Sequence, residues 1–259
     1  MNGHKCSYTV SKGHTLFTRK CFRRFLAVMA VGAALCFAAN TARATMVQAD
    51  IDQVFSGSAT PVGNQPWLTA TFDDAAAGLS AGQVKVTLSI TGLVAPEKVD
   101  GWYINVDDGH SQGTSGTAID PTTLSFSSPT KVGTFDDPVI NLGTDKFKAD
   151  GDGLYDIRFD FSTSNGHEFG AGDSVSYIIT GPATMNANSF TFLSAPAGGV
   201  GPFYEAAHIL SIGQGGNSVW ASPTQGPGNP VPEPSAIFLA LLAGSAAFGV
   251  RYWKRELKA

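Results

Sequence analysis

Alternating apolar and polar residues through the middle of the chain predict β-strands. Apolar side chains occupy every second position in residues 84–90 and again in residues 155–161. A period of two gives a strand one buried and one solvated face. Shorter apolar runs indicate five further strands, at residues 67–72, 101–106, 123–127, 174–180 and 188–193. Gly, Pro, Asn and Asp separate these runs at intervals typical of an antiparallel sandwich.

The body of the chain is therefore predicted to be all-β. No stretch between Thr45 and Gln225 keeps a helical apolar period for three turns, although one helical turn is expected near residues 203–208. No internal repeat is visible, which disfavours a solenoid or a propeller. We expect residues 45–225 to form one antiparallel β-sandwich or jelly-roll-like ectodomain.

Residues 1–44 have the three parts of a secretory signal peptide. A basic stretch ending at Arg23 and Arg24 precedes an apolar run over residues 25–39. That run is too short to span a membrane comfortably, and the small residues Ala42 and Ala44 behind it suit signal peptidase. These features favour cleavage after Ala44 over a retained membrane anchor.

The cysteines support the same division of the chain. All three, Cys6, Cys21 and Cys36, lie before the expected cleavage point. The mature protein would thus contain no disulfide, no thiolate metal site and no cysteine nucleophile. Its stability must come from a packed core or from a bound metal.

The C-terminal end contains a second trafficking pattern. A Gly- and Pro-rich linker opens residues 226–234 and leads into Val231-Pro232-Glu233-Pro234. Residues 235–250 carry no charge, and as a helix they would span about 24 Å, slightly less than a typical hydrocarbon core. The basic residues in the tail, 251–259, favour a cytoplasmic C-terminus. We expect a single transmembrane helix that holds the ectodomain outside the inner membrane.

This order of elements resembles the PEP-CTERM sorting signal of Gram-negative bacteria. In that family an integral-membrane exosortase recognises the Pro-Glu-Pro motif and removes the tail, and many members occur beside exopolysaccharide biosynthesis. The resemblance implies that Val231, Pro232, Glu233 and Pro234 are recognised by an exosortase. It also implies a precursor anchored in the inner membrane that later reaches the cell surface or the extracellular matrix. A plain tail anchor with a proline-rich stalk is the alternative.

The body resembles a recurrent group of PEP-CTERM ectodomains more loosely. The segments concerned are an Asp-Gly-Asp-Gly turn at residues 150–153, a Phe-rich stretch at residues 188–195 and Gly-Pro-Phe-Tyr-Glu-Ala-Ala-His at residues 201–208. This resemblance implies no activity.

The net charge of −4 is an average over unlike segments. Residues 1–44 contain seven basic and no acidic residues, a charge of +7, whereas residues 45–228 contain six basic and nineteen acidic residues, a charge of −13. Residues 229–259 contribute +2. A body this acidic repels phosphate, which excludes nucleic acid as a partner. It also makes a cation a candidate ligand.

Four aspartates form the candidate metal site. Asp145, Asp150, Asp152 and Asp156 lie within twelve positions, around two glycines. Calcium prefers several carboxylate and carbonyl oxygens on a flexible turn. The spacing departs from an EF-hand, however, and the same residues suit a solvated turn in which Asp caps its own backbone. Both interpretations remain open.

Three histidines and several aromatic residues complete the candidate chemistry. His110 and His167 each have acidic neighbours, but no known catalytic motif surrounds them. His208 lies in an apolar stretch and is expected in the core. Trp67 and Trp102 are also expected in the core, whereas Tyr204 and Trp220, in Gly-rich surroundings, are candidates for stacking against sugar rings.

The sequence thus predicts an exported cell-surface or matrix protein that acts by binding or assembly and is not an enzyme. It is expected to be sorted by an exosortase and associated with exopolysaccharide or biofilm. The first alternative is a calcium-dependent carbohydrate-binding module, and the second is a secreted hydrolase.

Overall fold

The computed structural model describes residues 10–11, 14–15, 45–110, 118–150 and 152–227. The chain divides into two compact units, Met1–Arg43 and Ala44–Ala259. In the first unit, β1 (Val10–Ser11) pairs antiparallel with β2 (His14–Thr15). The rest of the predicted signal peptide, including Ala42 and Ala44, lies outside the described residues, as do the motif at 231–234, the predicted helix at 235–250 and the tail at 251–259. Within the described part of the chain, no helix has the length and apolar character needed to cross a membrane.

The regular elements described in the second unit are nearly all strands. They are β3 (Met46–Ser56), β4 (Leu68–Asp73), β5 (Gln83–Ile90), β6 (Lys98–Ile104), β7 (Ser125–Phe126), β8 (Thr130–Val132), β9 (Val139–Ala149), β10 (Asp152–Asp160), β11 (Phe169–Gly170), β12 (Ser174–Thr180), β13 (Glu205–Ile212) and β14 (Asn217–Pro223). Among the described residues, the only helical elements are two 3-10 turns, Pro121–Thr123 and Ala187–Phe190. The prediction of an all-β body is confirmed.

All twelve strands belong to one antiparallel sheet. Its order is β7-β12-β5-β4-β3-β14-β13-β6-β10-β9, with β8 added to β12 and β11 added to β6. The first and last strands of the unit, β3 and β14, are neighbours. Just beyond β14, the backbone N–H and the hydroxyl of Thr224 both donate to Asp52 Oδ1 at 2.7 Å. The two ends of the folded body are therefore bonded to each other.

The sheet curls until its two ends face each other. The Phe159 ring of β10 lies 5.9 Å from Phe126 of β7 and 5.8 Å from Tyr177 of β12, measured between ring centroids. These strands lie at opposite ends of the strand order. The enclosed core also contains Trp67 and Trp102, as predicted, at 2% and 0% exposure. Rings of this size bury the most apolar area per residue, so they contribute heavily to the stability of the core.

Two local predictions were wrong. Residues 203–208 do not form a helical turn, because β13 begins at Glu205 and is hydrogen-bonded to both β6 and β14. Ala206 and Ala207 favour a helix locally, but pairing on both sides overrides that preference. Residues 188–193 are not a strand either. Asn186 caps the 3-10 turn Ala187–Phe190, accepting from the Asn188 N–H while its own N–H donates to the Ser189 hydroxyl.

Candidate functional site

A mixed cluster of two carboxylates and one imidazole lies at one end of the sheet. Asp108 and His110 follow β6, and Asp145 lies within β9. One potential ligand atom from each residue lies within 4.8 Å of those of the other two. The segment after β6 and the middle of β9 thus supply one cluster from opposite sides of β10, since β10 pairs with both strands.

Asp156 of β10 holds this cluster together. Its side chain is completely buried, and it accepts from the backbone N–H of Val106 at 3.0 Å and of Asp145 at 2.9 Å. One carboxyl group therefore fixes both the segment after β6 and the middle of β9. Burial raises the pKa of Asp156 to about 7, and the nearby charges of Asp108 and Asp145 act in the same direction, against the two backbone hydrogen bonds.

Asp145 presents a buried carboxylate oxygen without a hydrogen-bond partner in the described part of the chain. The β9–β10 register shifts beside this residue, and Asp145 takes a φ of 48°, in the left-handed region. Its Oδ1 atom is buried and has no hydrogen-bond partner among the described residues. Burial raises the pKa of Asp145, the charge of Asp108 raises it further, and His110 opposes the shift.

Asp108 and His110 differ strongly in their exposure. The Asp108 side chain is 1% exposed, whereas the His110 side chain, whose Nδ1 lies 3.4 Å from Asp108 Oδ2, is 71% exposed. The Asp108 carboxylate therefore lies at the buried side of the cluster, and the His110 imidazole lies at its solvent side. Carboxylate oxygens suit calcium, whereas an imidazole nitrogen suits zinc or another transition ion.

The remaining aspartates of the predicted calcium site have other surroundings. Asp150 is exposed. Asp152 accepts from the Gly201 N–H at 2.9 Å and lies against Gly199, where a Cβ atom would be 2.0 Å from Asp152 Oδ1. Because Gly199 also has a φ of +79°, only glycine fits this close approach without strain. Asp152 thus fixes the loop before β13.

A second group of polar and aromatic side chains runs across five strands on the sheet face opposite the main core. We call it the outer row, and its members are Trp220 of β14, His208 of β13, Asp100 and Tyr103 of β6, Arg158 and Asp160 of β10, and Asn141 of β9. The Trp220 ring stacks on His208 at 4.6 Å and meets Tyr103 edge-on at 5.3 Å. The Arg158 guanidinium lies over the Tyr103 ring, 5.6 Å from the ring centroid.

The expectation that His208 lies in the core was wrong. Its side chain is 22% exposed, and its Nδ1 lies 2.8 Å from Asp100 Oδ1. The neighbours Ala207 and Ile209 do belong to the core, so the alternation of β13 turns His208 to the other face.

The two predicted stacking residues have different environments. Trp220 is half-buried and belongs to the outer row. Tyr204 is also half-buried, but the backbone of Gly226 lies against its ring, because a Cβ on Gly226 would be 2.7 Å from Tyr204 Cζ. The start of the C-terminal linker therefore covers part of the Tyr204 ring.

A buried glutamate, which the sequence analysis did not single out, lies on the core side of β13. Glu205 opens β13, is completely buried, and accepts from the Trp102 indole Nε1–H at 2.8 Å. Its second oxygen has no hydrogen-bond partner among the described residues. Burial raises the pKa of Glu205 to about 8, the charge of Asp50 adds to the shift, and the Trp102 hydrogen bond opposes it. An isolated acidic residue in the apolar run of residues 205–212 was the available sequence signal.

The histidines proposed for a hydrolase belong to separate acid pairs. His110 lies beside Asp108, whereas His167 Nδ1 lies 2.9 Å from Asp136 Oδ1, with both of those side chains more than half exposed. Each histidine therefore has its own carboxylate partner.

Comparisons of the chain with family models, with curated proteins and with solved structures found no match. The fold and the site define an acidic all-β domain with a carboxylate–imidazole cluster at one end and a polar-aromatic row on one face.

Proposed function

We propose that the chain is the precursor of an exported cell-surface or extracellular-matrix protein, sorted by an exosortase, and that its body acts by binding or assembly, not catalysis. The observation that carries this proposal is the order of three segments: a basic leader, an acidic cysteine-free body, and a Pro-Glu-Pro motif before an apolar run and a basic end. Signal peptidase and the exosortase are the processing partners. The inner membrane holds residues 235–250 until processing.

The fold supports this division of the chain. The boundary between the compact units, after Arg43, lies one residue from the proposed cleavage after Ala44. The whole described core lies within the second unit, between Val47 and Ala221. We class its curled sheet as a sandwich-type ectodomain, because the two ends of the sheet pack face to face around one core.

Processing can be tested by replacing the acidic residue of the motif. In a host that contains an exosortase, we expect Glu233→Gln to accumulate as a membrane-held precursor, because the enzyme would no longer recognise the motif. Glu256→Gln, which changes the other acidic residue of the C-terminal segment, is the matched control and should mature normally. Immunoblots of membrane and surface fractions measure both. Normal maturation of Glu233→Gln would contradict sorting through this motif.

The second candidate function is calcium-dependent carbohydrate binding. It is favoured by the buried Oδ1 of Asp145, which lacks a partner among the described residues and lies beside the Asp108 carboxylate. These two carboxylates fit a hard cation, whereas the exposed His110 imidazole does not. In this proposal Asp108 and Asp145 are the side-chain ligands of calcium, and Asp156 positions Asp145.

Calcium binding should raise the thermal midpoint of the full-length chain in mild detergent. At a free concentration one hundred times the Kd, a ligand of the native state adds about 2.7 kcal/mol, or roughly 5–10 °C for a domain of this size. Asp145→Asn should remove that shift, and Asp150→Asn, at an exposed position outside the cluster, should keep it. An unchanged wild-type midpoint at millimolar calcium would exclude this candidate.

A further inference from the structure

We propose that the outer row binds a neutral polysaccharide chain, laid across β14, β13, β6, β10 and β9. This inference rests on the proposed function, because it names the ligand class that an exported binding protein would hold. It depends on the geometry of the row, on the order of its side chains and on its charge.

The members of the row lie on neighbouring strands, and its partly exposed side chains lie around the Tyr103 ring, which is 5% exposed. Trp220 is registered with His208, His208 with Gly101, and Gly101 with Asp160. Gly101 leaves room at the centre, since a Cβ there would lie 3.0 Å from Tyr103 Cε2. The Tyr103 ring therefore lies against Gly101, and Trp220 and Arg158 both contact this ring. Five strands span about 19 Å at the usual inter-strand spacing, enough for several sugar units in an extended chain.

The polar members of the row hold one another in place. Asp100 pairs with His208, Asn141 Nδ2 donates to Asp160 Oδ2 at 2.8 Å, and Arg158 forms an ion pair with Asp160. Their side chains remain partly exposed, at 41% for Arg158 and 29% for Asp160. Groups that are already ordered lose little conformational entropy when a ligand binds.

These chemical groups match those of a sugar ring. A pyranose has C–H bonds on its faces, which pack on aromatic rings such as Trp220, and hydroxyls around its edge. Planar carboxylate, guanidinium and amide groups can donate to and accept from those hydroxyls at once. A surface that combines aromatic rings with a few placed polar groups is typical of small-molecule recognition.

Charge selects the kind of polysaccharide. The body carries −13, and the row itself holds two carboxylates against the single guanidinium of Arg158. A uronic-acid or sulfated polymer would be repelled by this field. The ligand class that fits is therefore a neutral chain of hexopyranose units.

The test is affinity electrophoresis of the full-length chain in mild detergent, through gels that contain hydroxyethyl cellulose, dextran, galactomannan or alginate. We expect at least one neutral polymer to retard the wild-type chain, and alginate not to. Trp220→Ala should weaken that binding at least tenfold. Tyr204→Ala, which changes an aromatic residue outside the row, is the control and should bind like the wild type.

A second variant guards against a folding defect in Trp220→Ala. Arg158→Gln alters a partly exposed side chain and should weaken binding at least threefold while the circular dichroism spectrum stays unchanged. Failure of every neutral polymer to retard the wild type would overturn the inference, as would equal binding by the wild type and both row variants. Either result would leave processing at Glu233 intact, whereas failed sorting would leave the retardation intact, so the two proposals fail separately.

Discussion

Replacing Glu205 with Gln should remove a large part of the pH dependence of the body's stability. Burial raises the pKa of Glu205 from 4.5 to about 8, so the folded state keeps a proton that the unfolded state releases. The contribution of Glu205 to stability is then greatest below pH 4.5 and falls as the pH rises to about 8, by about 1.4 kcal/mol per pH unit for one proton. Gln keeps an oxygen that can accept from Trp102 Nε1–H but has no proton to lose.

The measurement is the free energy of unfolding of the wild type and of Glu205→Gln, by urea denaturation from pH 4 to 9. The difference between them isolates Glu205, because both chains share every other carboxyl group. We expect the free energy of unfolding of the variant to rise relative to that of the wild type by about 1.4 kcal/mol for each pH unit between 4.5 and 8. Above pH 8 the difference between the two chains should be constant.

Glu168→Gln is the matched control for this experiment. Glu168 lies on the surface, 3.1 Å from Lys98 Nζ, and hydrogen bonds lower its pKa. The contribution of Glu168 to stability is present above its unfolded pKa and is lost as the pH falls. This pH dependence is opposite in sign to that of Glu205. A difference between wild type and Glu205→Gln that does not change with pH would show that Glu205 is ionised in the fold.

Replacing Trp102 with Ala should cause one of the largest losses of stability available in this chain. Trp102 is completely buried, and removing such a side chain typically costs 3–5 kcal/mol. The change also takes away the hydrogen-bond donor of Glu205, which costs about 1–3 kcal/mol more. Against a total of about 5–15 kcal/mol for a typical domain, this leaves a marginal fold.

Circular dichroism during urea denaturation measures this effect without relying on tryptophan fluorescence. Trp102→Phe should lose much less stability because it keeps most of the apolar volume, although it also removes the indole donor. The double variant Trp102→Ala with Glu205→Gln should be less damaged than the sum of the single changes, because the two side chains are in contact. A loss below about 1 kcal/mol in Trp102→Ala would contradict the packing described here.

The strands that could be predicted are those whose pattern is local. Residues 84–90 and 155–161 alternate in sequence; the first range lies in β5, and the second lies in β10 as far as Asp160. Each faces the core on one side, which imposes the period of two on the sequence. The burial of Trp67 and Trp102 could be predicted in the same way, because large rings within strand-like runs usually pack in a core.

The elements that escaped prediction depend on distant partners. β3 carries acidic and amide residues among its apolar ones, and it becomes a strand by pairing with β4 and β14. β13 has a helix-favouring start that pairing on two sides overrides. The position of His208 depends on the same pairing. Such contacts join residues far apart in the chain, so no local pattern reveals them.

The carboxylate–imidazole cluster could be predicted only in part. The sequence marks Asp145 and Asp156 as members of one acidic segment, and the fold places them in contact. It does not reveal that Asp108 and His110 join them, because that juxtaposition requires β10 to lie between β6 and β9. The outer row is hidden for the same reason, since its members come from five strands.

The central claim, that two ends of this chain are trafficking signals around one working body, is tested most directly by the intact mass of the wild-type protein recovered from the cell surface of an exosortase-containing host. We predict the mass of a processed chain that begins at Thr45 and lacks residues 235–259. Recovery of the full 259-residue chain, or of a mature form that keeps residues 1–44 or residues 235–259, would contradict it.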